Sequence, residues 1–254
     1  MRRLLTCLVL VSCGSSNQDG AASSPVVVTD AGTTYFGDAH NGNFWIGPVD
    51  YSESQWHNAC GPSDGHYPAL IQQLYGDLIM GLSDQLQLDK LSAGAGQLCD
   101  VCAELTANGH TLIAHVVTYG EETGVDDIDV SPQVDSALGG GAKRTLSWRF
   151  VSCPTTHPIY YTFDDRGWSN TWYFRVWVRN ARVPVAKVEY QLAGKGWASM
   201  NWQNDGAWEV DSRDFAAGFS LRVTALDGQT IEDAIPGIGT FDPNAGVASK
   251  ANFQ

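Results

Sequence analysis

The sequence has few basic residues and lacks a long apolar run. Its 254 residues include 15 Lys and Arg against 28 Asp and Glu, which gives a formal net charge of −13. This excess of negative charge argues against nucleic acid as a partner and repels anionic polymers at low salt. No apolar segment is long enough for a transmembrane helix. There is no internal repeat, and 43% hydrophobic with 17% charged residues is typical of a folded globular protein of one or two domains.

The N-terminus predicts export. A short cationic start precedes an apolar run over residues 4–11 that is too short to span a membrane. The sequence LVSC at residues 10–13 resembles the lipobox of bacterial lipoproteins, whose cysteine is acylated. We therefore expect a signal peptide over residues 1–12, lipid on Cys13 and a small, polar tether over residues 13–30. The residue after that cysteine is not aspartate, which favours an outer-membrane or cell-surface lipoprotein; an ordinary secretory signal cleaved nearby is the alternative.

Four cysteines would remain in the mature protein: Cys60, Cys99, Cys102 and Cys153. An even number of cysteines in an exported protein predicts disulfides. Four cysteines allow three connectivities, and the residues alone do not choose among them. A zinc site is an alternative, although residues 99–102 form the only close pair. A redox Cys-x-x-Cys motif is another, although no βαβ pattern surrounds it.

Acidic residues are concentrated in the first half of the chain. Residues 13–153 contain 17 acidic and 4 basic residues, whereas residues 154–254 contain 11 acidic and 9 basic residues. This asymmetry predicts a domain boundary near Cys153, with one domain over residues 31–153 and another over residues 154–254.

The two halves also differ in their predicted secondary structure. The first half mixes strand patterns at residues 26–28 and 111–118 with a helix-like stretch over residues 68–91. The second half is almost entirely β, with alternating runs at residues 159–163, 172–178, 185–192 and 221–226 and a hairpin turn at Asp227-Gly228 followed by a strand over residues 229–235. Short strands at this spacing predict a sandwich of about 100 residues.

One strand of the second half has an unusual face. In TWYFRVWVRN, residues 171–180, alternation places Trp172, Phe174, Val176 and Val178 on one side and Tyr173, Arg175, Trp177 and Arg179 on the other. The first side is an ordinary core face. The second is aromatic and cationic, and we expect it to face the solvent.

Seven motifs, in order, resemble the expansins, proteins that loosen plant cell walls, and their microbial relatives. The first half carries TTYFG (33–37), ACG (59–61), LCDVCAEL (98–105) and DIDVS (127–131). The second half carries WRFVSCP (148–154), TWYFRVWVRN (171–180) and VPVAKVEY (183–190). No single motif is specific for this family. The order and spacing of the motifs, from residue 33 to the C-terminus, are specific for it. The second half is most similar to bacterial expansins, and the cysteines of the first half are closer to the plant type.

The resemblance implies a mainly β fold: a six-stranded double-psi β-barrel followed by an immunoglobulin-like β-sandwich. It implies disulfides from Cys60 to Cys99 and from Cys102 to Cys153. It also implies one long polysaccharide-binding surface, in which a row of aromatic rings on the sandwich stacks on glucan chains.

Within that row, Trp172 and Tyr173 match two adjacent ring positions, and Arg166 matches a basic residue beside them. Alternation would bury Trp172, so both rings are exposed only if the strand twists or begins there. The third ring of the family would fall near Asp205, where no aromatic is present, so Trp202 and Trp168 are the candidates to replace it. For Trp148, Trp197 and Trp208, burial in the core is an equally good interpretation.

In the barrel, Asp129 matches the essential acidic residue of the family. Judged by residue type alone, Asp126, Asp127 and Asp129 would instead form a solvated acidic turn before a helix capped at Ser131. Thr34 and Tyr35 match a threonine and an aromatic of the groove floor, and Tyr119 lies one position away from a family tyrosine. The aspartate that the bacterial family carries near this tyrosine is replaced by Thr118. Trp56 and His57 have no counterpart in the family pattern.

The resemblance implies a protein that is not an enzyme. Glycoside hydrolysis needs two carboxyl groups that face each other across the bond, about 6.5–9.5 Å apart in inverting enzymes. The barrel resembles that of family-45 endoglucanases, whose catalytic base lies where this chain has Gly37. Asp38 is one residue late, and a shift of one residue on a strand turns a side chain to the opposite face.

We therefore expect a monomeric protein without cofactor or metal that binds cellulose, xyloglucan or another cell-wall polysaccharide and loosens contacts between chains. The lipobox favours one alternative, a lipoprotein lytic transglycosylase acting on peptidoglycan, but the aromatic sandwich domain does not. A purely adhesive glucan-binding protein is the other alternative.

Overall fold

The computed structural model describes residues 33–47, 49, 51, 60–61, 69–86, 98–120, 124–141, 144–165, 168–211 and 213–254. The predictions for the signal peptide, the tether, Cys13, the strand over residues 26–28, Trp56, His57 and Arg166 lie outside these residues. Within the described part of the chain, no helix is long and apolar enough to cross a bilayer.

The first part of the described chain forms a closed barrel of six strands. Its elements are β1 (Tyr35–Ile46), α1 (Ala69–Tyr75), β2 (Ile79–Ser83), β3 (Cys102–Ala107), β4 (His110–Gly120), β5 (Ile128–Val130), α2 (Pro132–Ala137) and β6 (Thr145–Val151). The strands close in the order β1-β5-β2-β4-β3-β6. The pairs β1/β5 and β2/β4 are parallel and the other four pairs are antiparallel. This barrel confirms the predicted fold class.

Alternation along the strands fills the barrel. On β6, Leu146, Trp148 and Phe150 are buried in the core, whereas Thr145 and Ser147 between them are exposed. This period of two is the pattern expected for a strand with one face on the core. Trp148 is therefore a core residue.

The helix predicted over residues 68–91 is wrong beyond its first turns. The helix α1 ends at Tyr75, and Gly76 follows it with a positive φ of 64°, a conformation typical of the residue that terminates a helix. The following residues form the fully buried strand β2. A short, continuous apolar run does not distinguish a buried strand from a buried helix, because both faces of such a strand lie in the protein.

The second part of the chain forms a sandwich of two sheets. Its strands are β7 (Tyr160–Phe163), β8 (Tyr173–Arg179), β9 (Val185–Gln191), β10 (Ala198–Ser199), β11 (Asn201–Trp202), β12 (Trp208–Asp211), β13 (Phe219–Ala225), β14 (Thr230–Ile235) and β15 (Val247–Ala248). One sheet has the order β10-β9-β13-β14 and the other β11-β12-β8-β7-β15. The predicted hairpin is present, since β13 pairs with β14 across the turn at Gly228. The sandwich confirms the second half of the predicted fold.

The outward face of β8 is largely covered, which corrects the expectation that it faces the solvent. Phe174 lies in the sandwich core, as alternation predicts. On the opposite face, however, Trp177 and Arg179 are both 0% exposed. They are buried because the barrel packs against this end of the sheet: Arg179 bonds to barrel residues, and Trp177 lies beside Gly206, which itself approaches Cys99.

A buried hydrogen-bond network, which we call the interdomain clamp, joins the two domains. It consists of Arg179 and Asn180 of the sandwich with Tyr75 and Asp100 of the barrel. Arg179 Nη1 lies 2.6 Å from Asp100 Oδ2 and donates to the carbonyl oxygen of Cys60 at 3.0 Å. The hydroxyl of Tyr75 donates to Asp100 and accepts from the Asn180 backbone N–H at 3.0 Å. Burial raises the pKa of Asp100 above its usual value, although Arg179 acts in the opposite direction.

The structure contains both disulfides that the family resemblance implies, Cys60–Cys99 and Cys102–Cys153, so the redox and zinc interpretations of the cysteines are wrong. They close loops with sequence separations of 39 and 51 residues. In the chain-entropy model each loop of this size is worth about 4 kcal/mol. The first disulfide also adjoins the clamp, because Cys60 supplies the carbonyl oxygen that Arg179 binds.

A buried histidine stacks on the clamp and makes the fold sensitive to pH. The rings of His115 and Tyr75 lie 4.3 Å apart and nearly parallel, and no residue that the structure describes bonds to His115 Nε2. Burial lowers the pKa of His115 to about 4 from its ordinary 6.5. The neutral ring is therefore the form that the folded protein favours.

This pKa predicts a loss of stability in acid. Because the folded pKa lies below the unfolded one, the contribution of neutral His115 is complete above pH 6.5 and is lost as the pH falls towards 4. Between those pH values the free energy of unfolding of wild type should fall by about 3 kcal/mol more than that of His115→Phe, which keeps the stack on Tyr75. Urea unfolding at several pH values measures the difference. Parallel pH curves for the two proteins would contradict the prediction.

Candidate functional site

Asp129 lies on the outer side of the barrel wall. It occupies the centre of β5, between Ile128 and Val130, which are both 0% exposed, and is itself partly exposed. In register it is opposite Trp45 of β1 and Gly81 of β2. Since neighbouring residues of a strand point to opposite faces, the core residues on either side turn Asp129 outward.

Two glycines make room for this carboxyl group. A Cβ atom at Gly47 would lie 2.5 Å from Asp129 Cγ, and one at Gly81 would lie 2.8 Å from Thr118 Cγ2 and 3.6 Å from Asp129 Cβ. Distances below 3.0 Å are too short for real Cβ contacts. Asp129 and Thr118 therefore pack directly against glycine backbone, where no other side chain would fit.

The two neighbouring aspartates are engaged elsewhere. Asp127 accepts from the Asn43 backbone N–H at 2.7 Å, and Asp126 lies 2.8 Å from His40 Nδ1. Asp129, by contrast, belongs to a strand and not to an acidic turn. The predicted helix cap is present, because the hydroxyl of Ser131 accepts from the Val134 N–H at 3.3 Å.

Tyr35 and Asp129 have different partners in the barrel. Tyr35 begins β1, opposite Val151, whereas the residue opposite Asp129 is Trp45, ten positions later on the same strand. The Tyr35 hydroxyl donates to Glu104 at 3.0 Å. Thr34 also lies at this end, where its N–H donates to the Ser152 hydroxyl. The expected grouping of Thr34 and Tyr35 with Asp129 on one groove floor stays a prediction.

Trp45 is a surface aromatic that the sequence analysis missed. It is 36% exposed, and the next residue, Ile46, is 47% exposed. Trp45 is paired in parallel register with Asp129, so both side chains lie on the same side of the wall. The signal that could have revealed it is the alternation with Phe44, which is 1% exposed.

Tyr119 connects the barrel to the sandwich. It pairs with Leu82 of β2, one position beyond the pair formed by Thr118 and Gly81, and its hydroxyl donates to the backbone carbonyl of Asn204. Burial raises the pKa of Tyr119, and the nearby carboxylates of Asp205 and Asp84 raise it further. Tyr119 thus follows Thr118, whose partner Gly81 is opposite Asp129, and it also contacts the sandwich.

Trp172 and Tyr173 lie at the open end of β8. Trp172 is 58% exposed because the strand begins only at Tyr173, which removes Trp172 from the alternation that would bury it. Tyr173 is partly exposed, and its hydroxyl donates to Glu209 at 3.2 Å. Burial, followed by the charge of Glu209, raises the pKa of Tyr173 to about 12. The two rings are therefore adjacent on the surface.

At the third ring position of the row, Asp205 belongs to a cluster of charged side chains around Arg175. Asp205 lies 2.6 Å from Arg175, whose guanidinium also lies 3.2 Å from Glu209 and 3.6 Å from Asp164. Arg175 is therefore neutralised by three carboxylates. This cluster lies on the same face of β8 as Tyr173 and Trp177.

Both proposed substitutes for the third ring, Trp202 and Trp168, are partly buried against the sandwich core. Trp202 pairs with Trp208, which is 4% exposed and in the sandwich core, so register places Trp202 on the inner side of the sheet. Trp168 packs edge-to-face on Phe241 at 5.0 Å and donates its indole N–H to the Phe241 carbonyl. Of the remaining tryptophans in question, Trp197 is partly exposed beneath the guanidinium of Arg222, 4.4 Å from its carbon.

Comparison with known proteins finds similarity to a curated protein and to solved structures. No family model matches the chain. Over 111 residues, 43% of the chain, it is 30% identical to Expansin-YoaJ of Bacillus subtilis, and the match covers 46% of that protein. The chain therefore spans about half the length of this relative.

Two solved structures share the fold. A crystal structure of an apo expansin from Clavibacter michiganensis gives a TM-score of 0.64 at 18% identity, covering 85% of this chain and 98% of the other. A mutant of that expansin, crystallised with cellohexaose, gives 0.64 at 17% identity with the same coverage. The fold is that of a two-domain protein with a double-psi β-barrel followed by a β-sandwich. The chain is thus similar in sequence to part of one bacterial expansin and shares its fold with another.

The glycine beside Asp129 provides a test of this geometry. Because its Cβ would collide with the carboxyl group, Gly47→Ala should destabilise the protein by about 1–3 kcal/mol and displace the Asp129 side chain. Gly120→Ala is a matched control on the barrel, since its Cβ would meet nothing within 4 Å. Thermal unfolding of both variants compares the cost. Equal stability of the two would show that Gly47 is not required for Asp129 to fit.

Proposed function

We propose that the protein binds cellulose or related cell-wall glucans and loosens the contacts between chains without cutting them. The observation that carries the proposal is the 58% exposure of Trp172 beside Tyr173. These rings lie at the N-terminal end of β8, and Arg179 at its C-terminal end binds the barrel. A polymer held on the rings can thus reach a barrel whose position is fixed.

The aromatic pair suits a glucan because pyranose rings present C–H faces. A planar aromatic face packs against such a surface without requiring any particular hydroxyl. Glu209 accepts the Tyr173 hydroxyl and thereby orients the second ring. With only two rings in the described part of the row, we expect weaker adsorption than a three-ring row would give.

On the barrel, Asp129 would hydrogen-bond a glucan segment that the groove distorts. Trp45 supports this role, because it offers a second stacking face directly across the β1/β5 pair. The Clavibacter protein crystallised with cellohexaose is a structural neighbour, which supports a glucan as the ligand class. Affinity would then come mainly from the sandwich, and the carboxylate would act on the strained chain.

In this proposal, the protein does not cut the chain because Gly37 takes the position of the second acid of related hydrolases. Gly37 lies near the start of β1. Asp38 is exposed on the same early part of the strand. The neighbouring Asp126 and Asp127 bind His40 and Asn43. A peptidoglycan lytic enzyme and a purely adhesive protein are the alternatives that the experiments below separate.

We also propose that the protein is exported and carries lipid on Cys13, with the barrel domain over residues 31–153 and the sandwich domain over residues 154–254 outside the cell. Two disulfides support an oxidising compartment. The lipobox at residues 10–13 supports the anchor. No nucleic acid, metal or cofactor enters the proposal, and the protein would act as a monomer.

Removing the two rings should weaken adsorption to cellulose. Trp172→Ala with Tyr173→Ala should lose about 1–3 kcal/mol of binding free energy per stack, on the scale known for bases on aromatic side chains. Trp197→Ala is the control, because Trp197 lies on the other sheet, next to β10. Depletion isotherms on microcrystalline cellulose measure both. Undiminished adsorption of the double variant would place the binding surface elsewhere.

Replacing the carboxylate should separate loosening from binding. Asp129→Asn keeps the size of the side chain but removes its charge, so it should abolish weakening of a cellulose network while leaving adsorption nearly unchanged. Asp38→Asn is the matched control and should behave as wild type. Extension of a cellulose sheet under load measures loosening, and chromatography of the supernatant measures soluble sugar.

Each alternative gives a distinct result in that experiment. Soluble oligosaccharides released from cellulose by wild type and not by Asp129→Asn would make the protein a hydrolase. Anhydro-muropeptides released from peptidoglycan in the same pattern would make it a lytic transglycosylase. Adsorption without any weakening of the network by wild type would leave only an adhesive role.

A further inference from the structure

The strand β5, which carries Asp129, is only three residues long. Its pairs with β1 run from Phe44 opposite Ile128 to Ile46 opposite Val130. Because neighbouring residues of a strand point to opposite faces, a shift of this pairing by one residue would turn Asp129 into the core. A functional side chain must also be held to within about 0.5 Å of its working position. Any role of Asp129 therefore depends on the register of a very short strand.

Asp127 extends the pairing of β5 with β1 by its side chain. Continuing the register by one residue places Asp127 opposite Asn43. Asp127 Oδ1 accepts the backbone N–H of Asn43 at 2.7 Å and the side-chain amide of Asn43 at 3.2 Å. Asp127 is only 7% exposed, so water competes little for this oxygen, and a carboxylate is a stronger acceptor than a neutral group. The contact therefore joins β1 to the residue that leads into β5.

Asp126, the preceding residue, is joined to the same part of the barrel. Its Oδ1 lies 2.8 Å from His40 Nδ1, and its backbone carbonyl accepts the indole N–H of Trp148 at 2.8 Å. A Cβ atom at Gly42 would lie 2.1 Å from that carbonyl oxygen, so the turn packs directly on glycine backbone. His40 and Trp148 are opposite each other in the β1/β6 pair, and their rings stack at 4.0 Å. The turn before β5 is thus attached to β1 and β6 together.

We propose that Asn43 and Asp127 are positioning residues for Asp129, and that their contact fixes the register in which β5 presents this carboxyl group on its outer face. The role rests on the proposed function, in which Asp129 acts on a bound glucan. Asp127 acts through the backbone, since Asn43 occupies its own carboxylate. A movement of β5 along β1 breaks the contact, so the contact opposes that movement.

Nuclear magnetic resonance of the aspartate carboxyl carbons measures the position of Asp129 directly. The Asp129 signal is assigned by its absence from the spectrum of Asp129→Asn. Asp127→Ala removes the acceptor of both Asn43 bonds, so it should shift and broaden the Asp129 signal. Asp127→Asn removes the same charge but keeps an acceptor oxygen, so its Asp129 signal should stay close to that of wild type.

Two further variants separate positioning from a general loss of stability. Asn43→Ala keeps the backbone bond and removes only the side-chain bond, so it should shift the Asp129 signal in the same direction and by less. Asp242→Ala is the matched control, because Asp242 also accepts a backbone N–H, that of Asn244 at 2.9 Å, but lies in the sandwich. It should leave the Asp129 signal unchanged. Thermal unfolding establishes that each variant is folded, and Asn43→Ala decides if Asp127→Ala is not.

Loosening and adsorption show whether the position matters for function. Weakening of a cellulose sheet under load should be about 10- to 100-fold slower with Asp127→Ala than with wild type, the scale of loss that follows from a misplaced functional group. Adsorption to microcrystalline cellulose should be unchanged, because the proposed affinity comes from the sandwich. Asp127→Asn should restore loosening. A structural defect of the whole protein would instead lower both activities together.

The outcomes separate this proposal from the proposed function. An Asp129 signal that stays at the wild-type position in both Asp127→Ala and Asn43→Ala would show that the positioning role is wrong. An equal shift in Asp127→Asn and Asp127→Ala would contradict it too, because charge and not the hydrogen bond would then be responsible. If the signal moves in Asp127→Ala while loosening stays at the wild-type rate, the positioning role stands and the proposed role of Asp129 is wrong.

Discussion

The ion pair between Arg179 and Asp100 fixes the relation of the two domains. Both side chains are almost fully buried, with exposures of 0% and 3%, and their closest atoms are 2.6 Å apart. Removing two charges from water is costly, and such a pair is favourable only when its geometry is good and its other polar atoms are bonded. The clamp meets these conditions for most of its polar atoms, because Tyr75 bonds to Asp100 and to the Asn180 N–H and the Cys60 carbonyl accepts from Arg179. Arg179 Nη2 and Asn180 Oδ1 are the atoms for which the described residues supply no hydrogen bond.

Because of the clamp, one end of β8 holds the domains together while the other end presents aromatic rings on the surface. Its C-terminal end, with Trp177 and Arg179, is buried against the barrel, and its N-terminal end presents Tyr173 beside the exposed Trp172. Between them, Arg175 is neutralised by surrounding carboxylates. The rings are therefore held at a set distance from Asp129. In the proposed function this rigidity matters, because a chain held on the rings is presented to the barrel in one orientation.

The sequence predicted what depends on local pattern. Alternation identified the strands of the sandwich, and the order of the motifs supplied the barrel and the cysteine pairing. What failed depends on contacts between distant segments. Nothing in residues 171–180 shows that a barrel will cover Trp177, and a continuous apolar run does not reveal that β2 is a strand. The face of Trp202 was not predictable because it is set by the pairing with Trp208, which only the folded sheet defines. Trp45 was overlooked, although the sequence shows that a strand with Phe44 in the core would place Trp45 on the surface.

The most direct test of the account is the distance between the domains in solution. Nitroxide labels on Ser147→Cys of the barrel and Glu232→Cys of the sandwich, both exposed positions, allow this distance to be measured by double electron–electron resonance. The account predicts one narrow distribution that cellohexaose does not change and that broadens when Asp100→Asn breaks the clamp. A broad distribution in the protein with an intact clamp, or a shift of its maximum when the glucan is added, would contradict a rigid two-domain surface.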